Sequence, residues 1–183
     1  MIGHDRVYTP DNVAEDMVRY FAPSGRILEP ARGEGAIYKF LPPGSDWCEI
    51  IEGRDFFAFT DKVDWIISNP PYSLLREFSR HAFSLADNIV WLIPADRYFR
   101  AWRFVLETYE YGGLQTLRWY DSGGRIGFPM GNPVAALHWR KSYSGPINVS
   151  FWEGRKQDRV VGCRTAPNTQ RAKCPQLAME LEL

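Results

Sequence analysis

The sequence predicts an α/β protein built on a doubly wound, mainly parallel sheet with an antiparallel hairpin at one edge. Short β-rich apolar blocks such as "VDWIIS" and "NIVWLIP" alternate with turn residues and stretches of helical spacing, the pattern of buried parallel strands joined by helices. Two further strand-like runs, "LQTLRWYD" and "VAALHWR", follow one another with only the Gly/Pro-rich loop "SGGRIGFPMGNP" between them. At 183 residues, 45% hydrophobic and 24% charged, the chain suits one domain with a substantial core.

In order, "VYTPDNVAEDMVRYF" offers Thr9 or Asp11 as a helix cap and Pro10 as an early helical position. Val13, Met17, Val18 and Phe21 then face inward. "GRILEPARGEGAIYKFL" reads as a strand, a glycine-rich turn and a short helix stopped by Pro42-Pro43, and "DWCEI" as a short strand. Val63, Trp65, Ile66 and Ile67 form a buried strand that ends in Asn69-Pro70-Pro71-Tyr72, because neither proline can donate to a sheet ladder. A helix follows at about residues 73–86, then the "NIVWLIP" strand, then a helix at about 99–110 broken by Gly112-Gly113. Beyond Lys141 the pattern decays, so residues 1–152 are expected to fold as one domain and 153–183 to form a flexible basic tail.

Lys+Arg and Asp+Glu both total 22, so no global attraction to polyanions is predicted. Six basic residues (Arg155, Lys156, Arg159, Arg164, Arg171, Lys173) nevertheless stand against Glu153 and Asp158 near the C-terminus. Such an arm can hold phosphates, although most tails of this kind are only solvated. Cys48, Cys163 and Cys174 are odd in number and widely spaced, which argues against a disulfide framework or zinc site. With no signal peptide and no apolar run long enough to span a bilayer, a cytoplasmic protein is expected. His4, His81 and His138 show no metal-ligand spacing and read as packing residues. Asp96 and Arg97, at the sheet edge, read first as a loop salt bridge.

"LEPARGEG" places acidic Glu29 at a strand end and Gly33 and Gly35 at the following turn, where backbone can approach a ligand closely. It has neither the third glycine of a dinucleotide fingerprint nor the lysine of a P-loop. Glu29 would repel a phosphate but suits a cation, such as the ammonium and sulfonium of S-adenosyl-L-methionine.

Together, Glu29-Pro30-Ala31-Arg32-Gly33-Glu34-Gly35 and Asn69-Pro70-Pro71-Tyr72 resemble the S-adenosylmethionine-dependent amino-methyltransferases. The likeness is to DNA adenine-N6 methyltransferases, particularly small phage-type ones, and spans about residues 7–140. It implies a Rossmann-like class I methyltransferase fold, S-adenosyl-L-methionine as cofactor, DNA as partner and no metal. It also implies that Tyr8, Thr9 and Pro10 line the methionine end of the cofactor, with Glu29, Pro30, Ala31, Gly33, Gly35 and Asn69 completing its cradle. Glu49 would take the ribose hydroxyls, with Glu52 as competitor, and Asp55 the cofactor's adenine amine. Asn69, Pro70, Pro71 and Tyr72 would be catalytic, with Tyr72 stacking on a flipped adenine and Phe128 covering its other face. Phe128 packed beneath a hairpin loop is an equal reading of the sequence.

Two features depart from the family. Only six positions separate Glu49 from Asp55, too few for the usual helix and strand, and Arg32 stands where a small residue is common. The same Asn-Pro-Pro-Tyr turn occurs in enzymes that methylate RNA bases and protein glutamine amides. A catalytically silent cofactor-binding protein is a further alternative. With no separate recognition domain in the sequence, specificity falls to residues 94–112, the 121–133 loop, the basic arm or a separate partner.

Overall fold

The computed structural model describes residues 7–154. The predicted basic tail, apart from its first two residues, and His4, Cys163 and Cys174 lie outside them.

Seven strands form one sheet: β1 (Ile27–Glu29), β2 (Asp46–Trp47), β3 (Val63–Ser68), β4 (Ala86–Pro94), β5 (Gly112–Ser122), β6 (Pro133–Lys141) and β7 (Asn148–Phe151). Their spatial order is β2-β1-β3-β4-β6-β5-β7. The first four run parallel, β6 is antiparallel to both β4 and β5, and β7 joins β5 in parallel. The hairpin is therefore not at the edge: β6 lies inside the sheet and β7 covers β5. β7 escapes sequence reading because it is only four residues long and its apolar side chains, Val149 and Phe151, are exposed.

Alternate residues of the central strands feed two cores, as the pleat requires. Leu28, Ile66, Ile89, Trp91, Leu137 and Trp139 face helices α2 (Leu75–Leu85) and α4 (Trp102–Tyr111). Ile27, Ile67, Val90, Leu92, Val134 and Ala136 face α1 (Asp11–Phe21), which buries Val13, Ala14, Met17, Val18 and Phe21. Each such aliphatic side chain contributes about 1.5–3 kcal/mol through burial. The buried indole of Trp91 is satisfied on α2, its Nε1 donating to Ser79 Oγ at 2.9 Å.

Ion pairs lock the helices to this frame. Arg118 on β5 grips Asp16 of α1 with two bonds, at 2.6 and 2.7 Å. Arg76 and Arg80 of α2 converge on Glu107 of α4, holding its carboxyl down at about 2.

Two helices depart from expectation. The helix expected after Gly35 is a single 3-10 turn, Tyr38–Phe40. The helix expected at 99–110 is α4, and an unanticipated short helix, α3 (Ala95–Phe99), precedes it across Arg100 and Ala101. A four-residue turn of helix, α5 (Gly123–Ile126), opens the β5–β6 loop. No helix among the described residues is long and apolar enough to cross a membrane.

Candidate active site

β3 delivers Asn69 to the carboxyl edge of the sheet beside β4, with which it pairs from Val63–Ala86 to Ser68–Trp91. Asn69 Nδ2 donates to the Val7 carbonyl at 2.9 Å and to Thr9 Oγ1 at 3.1 Å. A carbonyl can only accept, so this contact fixes which way the amide points. Asn69 Oδ1 is thereby turned the other way, where it is buried with no protein donor. Thr9 does not cap α1: Pro10 occupies that position, and the hydroxyl of Thr9 serves Asn69 instead.

Pro70 is buried and Pro71 has φ −60° and ψ 121°, so the chain leaves the strand in a fixed direction. Leu74 N–H closes a turn on the Pro71 carbonyl at 3.0 Å, and Tyr72 is half-buried against the α2-side core.

Across the edge, Glu29 at the end of β1 is 1% exposed, and its Oε2 has no protein donor. Burial drives its carboxyl well above the ordinary range, with Arg32 opposing the shift. Gly33 and Gly35 have φ of +54° and +84°, values side chains seldom adopt, so the turn depends on glycine at both. Glu49 organises this turn, accepting from Gly33 N–H at 2.8 Å through one oxygen and from Ile51 N–H at 3.2 Å through the other.

The short Glu49–Asp55 interval is a contraction. Ile50–Glu52 form a 3-10 turn, Glu49 and Arg54 make an isolated β-bridge, and Asp55 caps the next turn by accepting from Phe57 N–H at 2.9 Å. Arg32 pairs with Glu52 rather than Glu29 or Glu34, which removes Glu52 as a free competitor for a ribose. Its guanidinium also lies 3.8 Å from the Trp47 ring centre, and that of Arg54 lies at the same distance. This Arg32–Trp47–Arg54 stack had no sequence signature, since its members are up to 22 residues apart.

Tyr8, Thr9, Glu29, Ala31, Gly33 and Asn69 line a common slot of about 50 Å³. Pro10, Pro30, Gly35, Glu49 and Asp55 do not line it; Pro30 and Gly35 shape the turn, and Pro10 packs near Gly127 of the β5–β6 loop. Val7 was missed because it acts through its backbone carbonyl, which no sequence pattern marks. Phe128 is 3% exposed in the α1-side core, its N–H bonded to the Gly123 carbonyl at 2.9 Å. It is packed beneath the hairpin loop, so that loop must open before its ring can cover a base. Asp96 accepts from Asn132 Nδ2 at 3.3 Å and lies 3.7 Å from Arg100. Among the described residues no group of His, Cys, Asp and Glu could hold a metal ion. Cys48 is a buried thiol pushed up to about 11 by burial.

The site suits a cationic cofactor of the S-adenosyl-L-methionine type: a desolvated carboxyl whose Oε2 has no protein donor, beside an open glycine turn, would take an ammonium group. A slot of about 50 Å³ is far below the roughly 300–1,000 Å³ of small-molecule pockets. As it stands the slot can enclose only part of such a cofactor.

No protein-family model matches the sequence, and no curated protein sequence matches it. Solved structures do match its fold. A putative class I S-adenosylmethionine-dependent methyltransferase from Listeria monocytogenes superposes with a TM-score of 0.59 at 14% identity, over 82% of this chain and 67% of that one. A putative RNA methyltransferase from Pyrococcus horikoshii gives 0.56 at 16%, over 75% and 87%. A modification subunit of a putative type I restriction enzyme from Vibrio vulnificus gives 0.54 at 16%, over 84% of this chain. This chain spans about half of that subunit, 49% of its length. At such identities the likeness concerns architecture: the chain has the Rossmann-like fold of class I methyltransferases.

Proposed function

We propose that this protein transfers a methyl group from S-adenosyl-L-methionine to the exocyclic N6 amine of adenine in DNA. The observation that carries the proposal is Asn69 Oδ1, an acceptor fixed in direction, buried and without a protein donor. An exocyclic adenine amine is a weak nucleophile because its lone pair is delocalised into the ring. Hydrogen bonds from that amine to Asn69 Oδ1 and to the Pro70 carbonyl would favour a pyramidal nitrogen and return the lone pair to it. Such acceptors act by positioning and preorganised electrostatics and need no strong base. Pro70 and Pro71 keep the acceptors rigid, and Tyr72 offers a ring for the base.

The cofactor, when bound, supplies an electrophilic methyl on a cationic sulfur. Glu29 would hold its ammonium and become ionised by doing so, while the Gly33–Gly35 turn lets backbone approach it. Glu49 serves it by fixing Gly33, and Tyr8 and Thr9 wall the slot. A duplex base has to be extruded to reach the Asn69 edge. The modification subunit of a putative type I restriction enzyme among the structural neighbours is in keeping with DNA as the substrate.

The test is nucleoside mass spectrometry on nucleic acid from a host without adenine methylation that expresses the protein or its Asn69→Ala variant. N6-methyldeoxyadenosine seen only with the unmutated protein is the expected result. Methylated adenosine confined to RNA would retain the mechanism and change the substrate; no methylated nucleoside from folded protein would defeat the proposal.

A further inference from the structure

Residues 95–103 follow β4 directly, so they stand at the same sheet edge as the Asn69 turn. Their fold is fixed from below. Tyr98 is buried, its hydroxyl within 2.9 Å of Thr108 Oγ1 and its ring 5.2 Å from that of Trp139. Phe104 is buried beside it. What this anchoring leaves outside is unusual: Phe99 is 55% exposed and Trp102 72%. Arg97, Arg100 and Arg103 are exposed around them.

Residues 97–106 hold three arginines and no acid. The flanking acids are engaged: Asp96 with Asn132 and Arg100, Glu107 with Arg76 and Arg80. Among the described residues, Arg100 alone of the three arginines has a carboxylate within 4.0 Å, at 3.7 Å, and its side chain is still 84% exposed. A single exposed aromatic needs no explanation. Two large rings interleaved with three guanidinium groups, beside an amine-binding turn, combine stacking faces with phosphate-neutralising charge. That is the composition by which proteins hold unpaired nucleotides.

We propose that the α3–α4 corner, through Arg97, Phe99, Arg100, Trp102 and Arg103, is a platform for the nucleic-acid strand next to the extruded base. The proposal rests on nucleic acid being the substrate, as inferred above, and adds where the strand is held. The arginines would contact phosphates and Trp102 would stack on a neighbouring base, with little sequence preference.

The test uses the full chain, its Trp102→Ala variant and its Arg97→Ser/Arg100→Ser/Arg103→Ser variant. Each is titrated against fluorescein-labelled single-stranded DNA over a range of salt, with cofactor binding and methyl transfer measured in parallel. Trp102→Ala should weaken binding roughly tenfold, within the range for loss of one stacked base. The triple variant should lower the slope of log K against log salt by about 2, since single strands contribute about 0.7 per phosphate contact. Cofactor affinity and melting temperature should not change, because all five side chains are outside the slot and exposed. Methyl transfer by the parent with unchanged DNA affinity in both variants would overturn the platform and spare the function. DNA binding that the variants lose, in a parent that transfers no methyl group, would support the platform and overturn the function. Leu106 and Tyr109 are exposed on the same α4; if the parent is a dimer split by Leu106→Ser/Tyr109→Ser, and Trp102→Ala leaves DNA affinity intact, the face belongs to a second copy and the platform falls.

Discussion

Asn69 Nδ2 donates to the Val7 carbonyl at 2.9 Å, joining residues 62 positions apart and leaving Oδ1 as a buried acceptor. The N-terminal strap thereby sets the direction of the proposed catalytic amide. Asn69→Ala removes the acceptor and should lower kcat by about 10²–10³, the range for losing one preorganised polar contact. It also strips one donor from Val7 and Thr9, a loss of about 1 kcal/mol in stability, so the variant should remain folded. Single-turnover methyl transfer with a thermal melt checks both; a folded variant at full rate would remove Asn69 from the mechanism.

Glu49 accepts the Gly33 N–H at 2.8 Å, so its first effect on a cofactor is through the glycine turn. Glu49→Ala should weaken S-adenosylmethionine binding about tenfold or more, as expected when hydrogen bonds to a charged acceptor, worth about 1.5–3 kcal/mol, are lost. Glu49→Gln keeps one acceptor and should lie between the two. Calorimetric titration gives the three affinities, and equal values would show that neither the turn nor the ribose depends on this carboxylate.

These residues were legible in the sequence to different degrees. β3, β4 and α2 were readable because apolar blocks meet prolines or change period at their ends. The contraction between Glu49 and Asp55 was readable as a count, but its form was not, since 3-10 turns leave no periodic pattern. α4 was legible at 99–110, but α3 was not, since five residues are too few to show a helical period; Tyr98 anchors α3 and Phe104 anchors α4. Arg32 was visibly odd, yet its ties to Glu52 and Trp47 depend on how β2 returns beside β1. Phe128 matched a motif, but the burial that takes its ring into the core is a tertiary outcome.

Arg118 and Asp16 form a two-bond ion pair whose side chains are only 11% and 19% exposed, with the guanidinium 4.0 Å from the Tyr20 ring centre. Removing one partner leaves the other charge desolvated, so Asp16→Ala should destabilise by about 3 kcal/mol. Replacing both, as Asp16→Leu/Arg118→Met, should recover most of that loss, because apolar side chains can fill the site without an unmatched charge. Urea melts of the two variants decide it. A double variant no more stable than Asp16→Ala would mean that the arginine's stacking, rather than its charge balance, holds α1 to β5.

His138 stacks on Trp65 with ring centres 5.0 Å apart and lies 3.1 Å from Asn88 Oδ1. Burial, then the charge of Arg140, depresses its pKa from 6.5 to about 4. The sign follows from linkage: between pH 6.5 and about 4 the unfolded chain binds this proton and the folded chain does not. His138 therefore destabilises the fold progressively as pH falls through that window, and is neutral in its effect above it. His138→Phe retains a ring against Trp65 and loses the Asn88 contact, a cost of about 1 kcal/mol at neutral pH. Relative to the parent, it should gain about 3 kcal/mol as the pH is lowered to 4, an order-of-magnitude reading of the depressed pKa. The difference between the two proteins cancels the common titration of carboxylates, so urea melts at several pH values isolate the histidine. A difference that stays constant from pH 7 to 4 would mean that His138 takes up its proton in the folded state, despite its burial and the charge of Arg140.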